Sequence, residues 1–286
     1  MVKSKASKIA SHIILIFVAL IYLIPFYIVI ITSLKESNAL ATQNPFIWFP
    51  KISQLSFQGY KNIFTTYTIF ATGKSMIATG FKNTLIVLVP VMIGGMFSSS
   101  IAAYAFAKLK FKLKNIMFAI LLLSMMLPGI ITLIPSYFIF DNLGLVNTFF
   151  PLIVPAMFGS ATCVFFLRQF YTSIPNEIIE AAKIDGMSYL GIYFKIIIPL
   201  AKPALIAQAL LGIVACYNDY LGPLIYLYDE QKYTLQLALS MFSTGNTANL
   251  PTVMAGSVFS MLPMIIIYII FQKHFVNGLT MSGMKD

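Results

Sequence analysis

Charge is what this chain lacks most: only 10% of its 286 residues are Asp, Glu, Lys or Arg, against about 25% in a soluble domain. That leaves too little polar surface to coat a water-soluble globule. Hydrophobic residues make up 59% and the mean hydropathy is +0.86, so lipid must be the solvent for most of the chain. Cysteine is scarce as well. The two present, Cys163 and Cys216, lie inside apolar segments and read as small buried hydrophobes, which excludes a disulfide framework or a thiolate metal site. The two histidines, His12 and His274, stand far apart at the ends of apolar segments. They form no metal-binding or catalytic set, and no cofactor is called for. A net charge of +10 brings nucleic acid to mind, but no basic polar domain exists to hold one.

Long apolar runs are present instead. Six stretches, about 12–34, 83–107, 115–135, 149–167, 203–227 and 252–272, are long enough to cross about 30 Å of hydrocarbon at about 1.5 Å per residue. The sequence therefore predicts an all-α polytopic membrane protein with six spans. Residues 1–82 read as a tail, the first span and a long outer loop, 83–274 as the core, and 275–286 as a tail. The N-terminus superficially resembles a signal peptide, with Lys3, Lys5 and Lys8, an apolar run, and then Ala39-Leu40-Ala41. The uncharged run from Ser11 to Leu34 exceeds the usual h-region, so it reads as a retained span.

The basic residues orient the spans. Lysines mark the N-terminus; Lys108, Lys110, Lys112 and Lys114 mark the second-to-third connection; Arg168, Lys183, Lys195 and Lys202 the fourth-to-fifth; Lys273 and Lys285 the C-terminus. Of the opposite short loops, one carries no basic residue and the other only Lys232. This places both termini and the 168–202 loop in the cytoplasm of a multi-pass plasma-membrane protein. Prolines 25, 90, 128, 155 and 263 fall in the spans, where they would kink helices.

Inside the membrane, Asp219 is the one clear ionisable residue. A gradient-driven carrier usually shows several paired intramembrane charges. A membrane-embedded transferase would need clustered acids to hold Mg²⁺, and the nine acidic residues are scattered, with only Glu177, Glu180 and Asp185 grouped. Asp219 and its neighbour Asn218 have two readings: sugar-hydroxyl partners on a translocation path, or a structural hydrogen bond at an interface. Gly73-Lys74-Ser75 looks like the end of a phosphate loop, but that motif needs glycine at the position held by Thr68. ATP, if used, is hydrolysed by another chain.

The 168–202 connection is the most informative segment. Ser173 and Pro175 suit the start of a short helix, and Glu177 and Glu180 favour its N-terminal end. Gly186 sits where a left-handed residue would close that helix. A second helix can begin at Ser188 and run until Pro199 stops it. Ala181 and Ala182 would let a partner approach closely, with Glu180 offering a carboxylate. On these residues alone, a docking loop and a solvated surface helix both stand.

The string Glu180-Ala181-Ala182, then Asp185-Gly186, then Ile196 and Ile198-Pro199 resembles the EAA loop of binding-protein-dependent ABC importer permeases. Ile198 departs mildly from that family's leucine. Further matches point to the carbohydrate-uptake branch and its maltose-permease G-subunit type: Asn83-Thr84-Leu85, Ala103-Tyr104-Ala105-Phe106-Ala107, Leu143-Gly144-Leu145, Asn218-Asp219-Tyr220 and Phe275-Val276-Asn277-Gly278. The resemblance spans about residues 10–286. It implies a sugar-importer permease without enzymatic activity. It also implies a second, similar permease subunit forming a heterodimer, cytoplasmic ATPase subunits that receive the loop, and an extracytoplasmic sugar-binding protein. Glu180, Ala181, Ala182, Asp185, Gly186, Ile196 and Pro199 are the coupling residues that the resemblance implies.

Overall fold

The computed structural model describes residues 5–36, 50–243 and 249–283; Ala39-Leu40-Ala41, Lys3 and Lys285 lie outside them. Among the described residues no strand forms, only two isolated bridges, Lys35 with Leu55 and Thr68 with Ser75. The helices are α1 (Lys5–Ser33), α2 (Gln58–Thr65), α3 (Met76–Lys108), α4 (Lys114–Met126), α5 (Gly129–Asn142), α6 (Phe150–Met157) and α7 (Ala161–Ser173). They continue with α8 (Asn176–Ile184), α9 (Tyr189–Leu200), α10 (Lys202–Tyr217), α11 (Leu221–Tyr226), α12 (Leu235–Met241) and α13 (Leu250–Gly283).

The protein is an all-α polytopic membrane protein. Four apolar stretches, Ile9–Ser33, Met76–Lys108, Phe150–Ser173 and Leu250–Gln272, are long enough to cross a membrane, and two bent helix pairs raise the count to as many as six. Exposed Ile, Leu and Phe side chains crowd α1, α4, α5 and the second half of α13, as lipid-facing surfaces require.

Several helices break where a run-length reading sees one continuous segment. The third span divides at Leu127-Pro128, with a 96° bend between α4 and α5. Proline is the cause, since it cannot donate to the ladder and its ring clashes with the preceding turn. Pro25, Pro90 and Pro263, by contrast, lie inside uninterrupted helices. The fourth span divides at Phe158-Gly159-Ser160, not at Pro155. Gly159 has φ +94°, and a Cβ there would lie 2.5 Å from the Ser99 hydroxyl, so only glycine fits. The fourth span also runs on to Ser173, beyond the expected end at 167, so Arg168 belongs to the helix and not to the loop. Arg168 is tolerated there because its guanidinium lies 3.8 Å from the Phe118 ring centroid and its Nε donates to the Phe106 carbonyl.

The chain forms two compact units. The first holds the residues up to Ala78 together with Ala238–Pro263. Its loop returns beside the end of α1: Ser56 N–H donates to Leu34 O and Glu36 N–H to Gln54 O. The Ser33 hydroxyl lies 2.8 Å from the Tyr60 hydroxyl, and Tyr67 stacks at 4.1 Å on Phe242. Gly73-Lys74-Ser75 forms a tight turn here, closed by Ile69 N–H donating to Lys74 O.

The second unit holds Thr79–Leu237 and the residues from Met264 on. Its core surrounds the end of α3 and includes Ala103, Tyr104, Leu167, Tyr171, Ile192, Tyr193 and Ile197. Asn83 fixes the other end of α3 by donating to the carbonyls of Gln231 and Tyr233.

Candidate functional site

Two regions of the second unit carry the chemistry. One is the loop from Ile174 to Ala201. Its first helix, α8, is capped by no side chain: Pro175 holds the N-cap position, and the Ser173 hydroxyl turns back to Phe170 O. Glu177 lies in the first turn and Lys183 in the last, both favourable to the helix dipole. Gly186 follows with φ +79° and no atom within 4 Å of a built Cβ. Ser188 then caps α9 by accepting from Gly191 N–H. Pro199 does not stop α9. The helix widens into a π segment over Tyr193–Ile197 and runs to Leu200 before turning 79° at Ala201 into α10. Proline's missing N–H and bulky ring disfavour the tighter α ladder directly ahead of it, which accounts for the π segment.

The loop is fastened to α3. Ser100 on α3 lies 2.6 Å from the Tyr171 hydroxyl of α7 and accepts from the Tyr193 hydroxyl of α9 at 2.9 Å. The Tyr104 hydroxyl donates to Tyr189 O, and Lys108 Nζ donates to Ile174 O and to Asn176 Oδ1. Tyr171, Tyr193 and Ser100 are all at most 2% exposed. Sequence reading missed this cluster; a run of three serines, Ser98 to Ser100, in an apolar span was its only signal. Ser100→Ala leaves two buried phenols without their shared partner, at about 1–3 kcal/mol for each unpaired group. Thermal unfolding of the detergent-solubilised chain should show a lower midpoint for Ser100→Ala, with little change for an exposed control such as Ser124→Ala.

The expected coupling residues divide by exposure. Glu180, Ala181, Asp185, Gly186 and Pro199 lie on the surface. Ala182 is 6% exposed and packs into the core, and Ile196 lies partly buried against the same cluster. The surface also carries Ile178, Ile184, Leu190 and Phe194, and Ile184 is 87% exposed. These exposed apolar residues were not singled out from the sequence.

The other region is internal. A cavity of about 780 Å³ is bordered by Met96 on α3, Ser160 and Phe166 beside and within α7, and Gln208 and Cys216 on α10. A smaller cavity of about 240 Å³ shares Val91, Ala156, Ala215 and Cys216 with it and adds Asp219 and Thr234. Asn218, Asp219 and Tyr220 form the break between α10 and α11. Asp219 Oδ1 accepts from Gly222 N–H, so it helps satisfy the start of α11 while bordering the smaller cavity. Asn218 donates to Val214 O and accepts from Gln236.

Broken apolar helices, a largely apolar cavity between them with a few polar groups, and a surface loop anchored to the bundle define a membrane transport subunit. A family model described as the binding-protein-dependent transport system inner membrane component matches residues 94–281, and the chain belongs to that family. It is 32% identical over 279 residues to the arabinooligosaccharides transport system permease protein AraQ of Bacillus subtilis, covering 97% of this chain and 96% of that one. It is 31% identical over 272 residues to the melibiose/raffinose/stachyose import permease protein MelC of Bacillus subtilis, covering 94% and 93%. A chain of a bacterial ABC transporter involved in the import of the acidic polysaccharide alginate superposes with a TM-score of 0.79 at 25% identity, covering 96% of this chain and 99% of that one. The protein is thus a multi-pass inner-membrane permease subunit of an ABC importer and not an enzyme. Such importers include a partner permease, an ATPase and a substrate-binding protein.

Proposed function

We propose that this chain forms half of the translocation path of an ATP-driven sugar importer. It pairs with a second, different permease chain, and an extracytoplasmic sugar-binding protein delivers the solute. Both termini and the 168–202 loop face the cytoplasm, in keeping with the basic residues clustered there. Residues 83–274 act as the core, with 1–82 and 275–286 as flanking segments. Glu180, Ala181, Asp185, Gly186 and Pro199 belong to the surface that receives the ATPase, while Ala182 and Ile196 seat that surface on the bundle. Asn218 and Asp219 border the path.

The observation that carries this reading is the anchoring of the loop. Tyr171, Tyr193, Tyr104 and Lys108 tie α7, α8 and α9 to α3, through buried hydroxyls at Ser100 and through partly exposed bonds to Tyr189, Ile174 and Asn176. Force applied at α8 reaches the spans without passing through a flexible linker. Two discrete bundle arrangements, biased by the nucleotide state of the partner, then give alternating access. The relatives named for arabinooligosaccharides and for melibiose, raffinose and stachyose support a sugar cargo.

The test is reconstitution of the full complex in proteoliposomes. Saccharide uptake should require ATP and the binding protein and should not respond to a proton or sodium gradient alone. The permease chain purified without its ATPase should hydrolyse ATP only at background. Gradient-driven uptake without ATP would overturn the reading.

A further inference from the structure

The larger cavity contains an unmet hydrogen-bonding demand. Gln208 sits on α10 six residues after Lys202, is 7% exposed, and borders the cavity. Among the described residues no protein group hydrogen-bonds its carboxamide. A carboxamide carries two donor hydrogens and an acceptor oxygen, and those of Gln208 are left open to the cavity, where only a bound solute or water can meet them. The smaller, adjoining cavity repeats the pattern: Thr234 is 5% exposed and its hydroxyl has no partner.

A second feature meets Gln208 in the cavity. The break at Phe158-Gly159-Ser160 opens the N-terminus of α7 onto it, with Ser160, Thr162 and Cys163 on its wall. Ser160 Oγ accepts from Cys163 N–H, which leaves its own proton free to donate. Half-helix N-termini beside a membrane cavity are a recurring place for transported solutes.

The lining also selects among solutes. It holds no Lys, Arg, His, Asp or Glu, so a charged solute would lose its hydration without compensation. Much of the wall is apolar, with Met92, Met96, Met125, Phe165 and Phe166 its largest side chains. An acyl chain would suit those side chains but leave Gln208 as unpaired as before. A saccharide ring meets both demands, because its C–H faces are apolar and its hydroxyls sit at the edge. The volume, about 780 Å³, falls in the range of small-molecule sites, about 300–1,000 Å³.

We infer that Gln208, with Ser160 and Thr162, forms a subsite in this subunit for one neutral saccharide ring. This rests on the sugar-importer reading. The 11 residues from Gln208 to Asp219 correspond to about 16 Å along a helix. A second ring of the same chain therefore has Asp219 and Thr234 within its reach, so the pair of cavities suits an oligosaccharide better than a single sugar.

The test uses the complete importer in proteoliposomes, with radiolabelled arabinotriose and raffinose as probes. Gln208→Met keeps the shape and removes the hydrogen bonds. Its uptake should fall about tenfold or more, as expected when a polar partner is lost inside a dry site. Co-purification of the ATPase with the permease pair should match the parent, since Gln208 lies outside the loop anchoring. The native thiols supply an independent readout, because Cys163 and Cys216 both border the cavity. The transported saccharide should slow their alkylation by N-ethylmaleimide in the parent and not in Gln208→Met. Unchanged uptake, or protection that survives in Gln208→Met, would overturn the subsite. So would thiols that react in the isolated chain but are fully shielded in the sugar-free complex, since a partner helix would then fill the cavity. If the parent complex imports neither saccharide with ATP, the sugar reading itself falls and the subsite with it.

Discussion

A Gly186→Val permease inserts and pairs normally but no longer imports. Gly186 joins α8 to α9 at φ +79°, a conformation that costs a β-branched residue at least about 1–2 kcal/mol. No atom lies within 4 Å of a built Cβ there, so the cost is backbone strain and not a clash. The chain can relieve that strain only by swinging α9 away from its place relative to α8. Tyr193 and Tyr189 would then move off Ser100 and Tyr104, and the loop would lose its hold on α3. Uptake in proteoliposomes should drop by about two orders of magnitude or to background, as expected when a coupled conformational step fails. ATP hydrolysis should lose its response to the binding protein. Gly186→Asn is the control. Asparagine tolerates the left-handed region far better, so it should keep a substantial part of the uptake. Normal transport by Gly186→Val would remove the turn from the coupling mechanism.

The second large effect is expected at the exposed end of α8. Ile184 is 87% exposed beside Glu180 and Ala181. A bulky apolar side chain held so far into water suits an anchor that fills a pocket on the ATPase. Ile184→Asp places a carboxylate in that pocket and should weaken ATPase binding to the permease pair at least about tenfold, in line with typical anchor residues. Glu180→Lys should act in the same direction by reversing a charge on the same face. Co-purification of the ATPase with the permease pair would read both effects, and the permease pair itself should remain intact. A cysteine at Ala181 should cross-link to the ATPase, while one at Ala182 should not, because Ala182 points into the core. Full ATPase retention by both charge variants would place the docking surface elsewhere.

The sequence disclosed the spans because run length and scarcity of charge act locally, residue by residue. It disclosed the turn at Gly186 for the same reason: few residues other than glycine close a helix in that way. The helix breaks were harder to see. Pro155 looked like the kink in the fourth span, yet the chain divides at Gly159, where the decisive contact is with Ser99, 60 positions earlier. The Ser100–Tyr171–Tyr193 cluster joins residues 71 and 93 positions apart, and no local pattern carries such a pairing. Gln208 stood as a single polar residue in an apolar run, and its meaning depends on what surrounds it. The coupling string drew attention to the loop, but alternation of exposure along a helix separated Ala181 from Ala182 only once the packing was known.

If α8 receives the ATPase as proposed, the bend at Ala201 gives the subunit a mechanical ratio. The short arm, α9, is held by Ser100 and ends in a 79° elbow. The long arm, α10, runs the 16 residues from Lys202 to Tyr217, about 24 Å along a helix. A pivot of about 10° at the elbow carries the far end through about 4 Å over that length, close to the width of a sugar ring. A stroke of that size at Asp219 needs only a small displacement where the ATPase would grip. The gearing lies in arm length alone, so shortening α10 by one turn would cut the throw in proportion without touching a single contact in the loop.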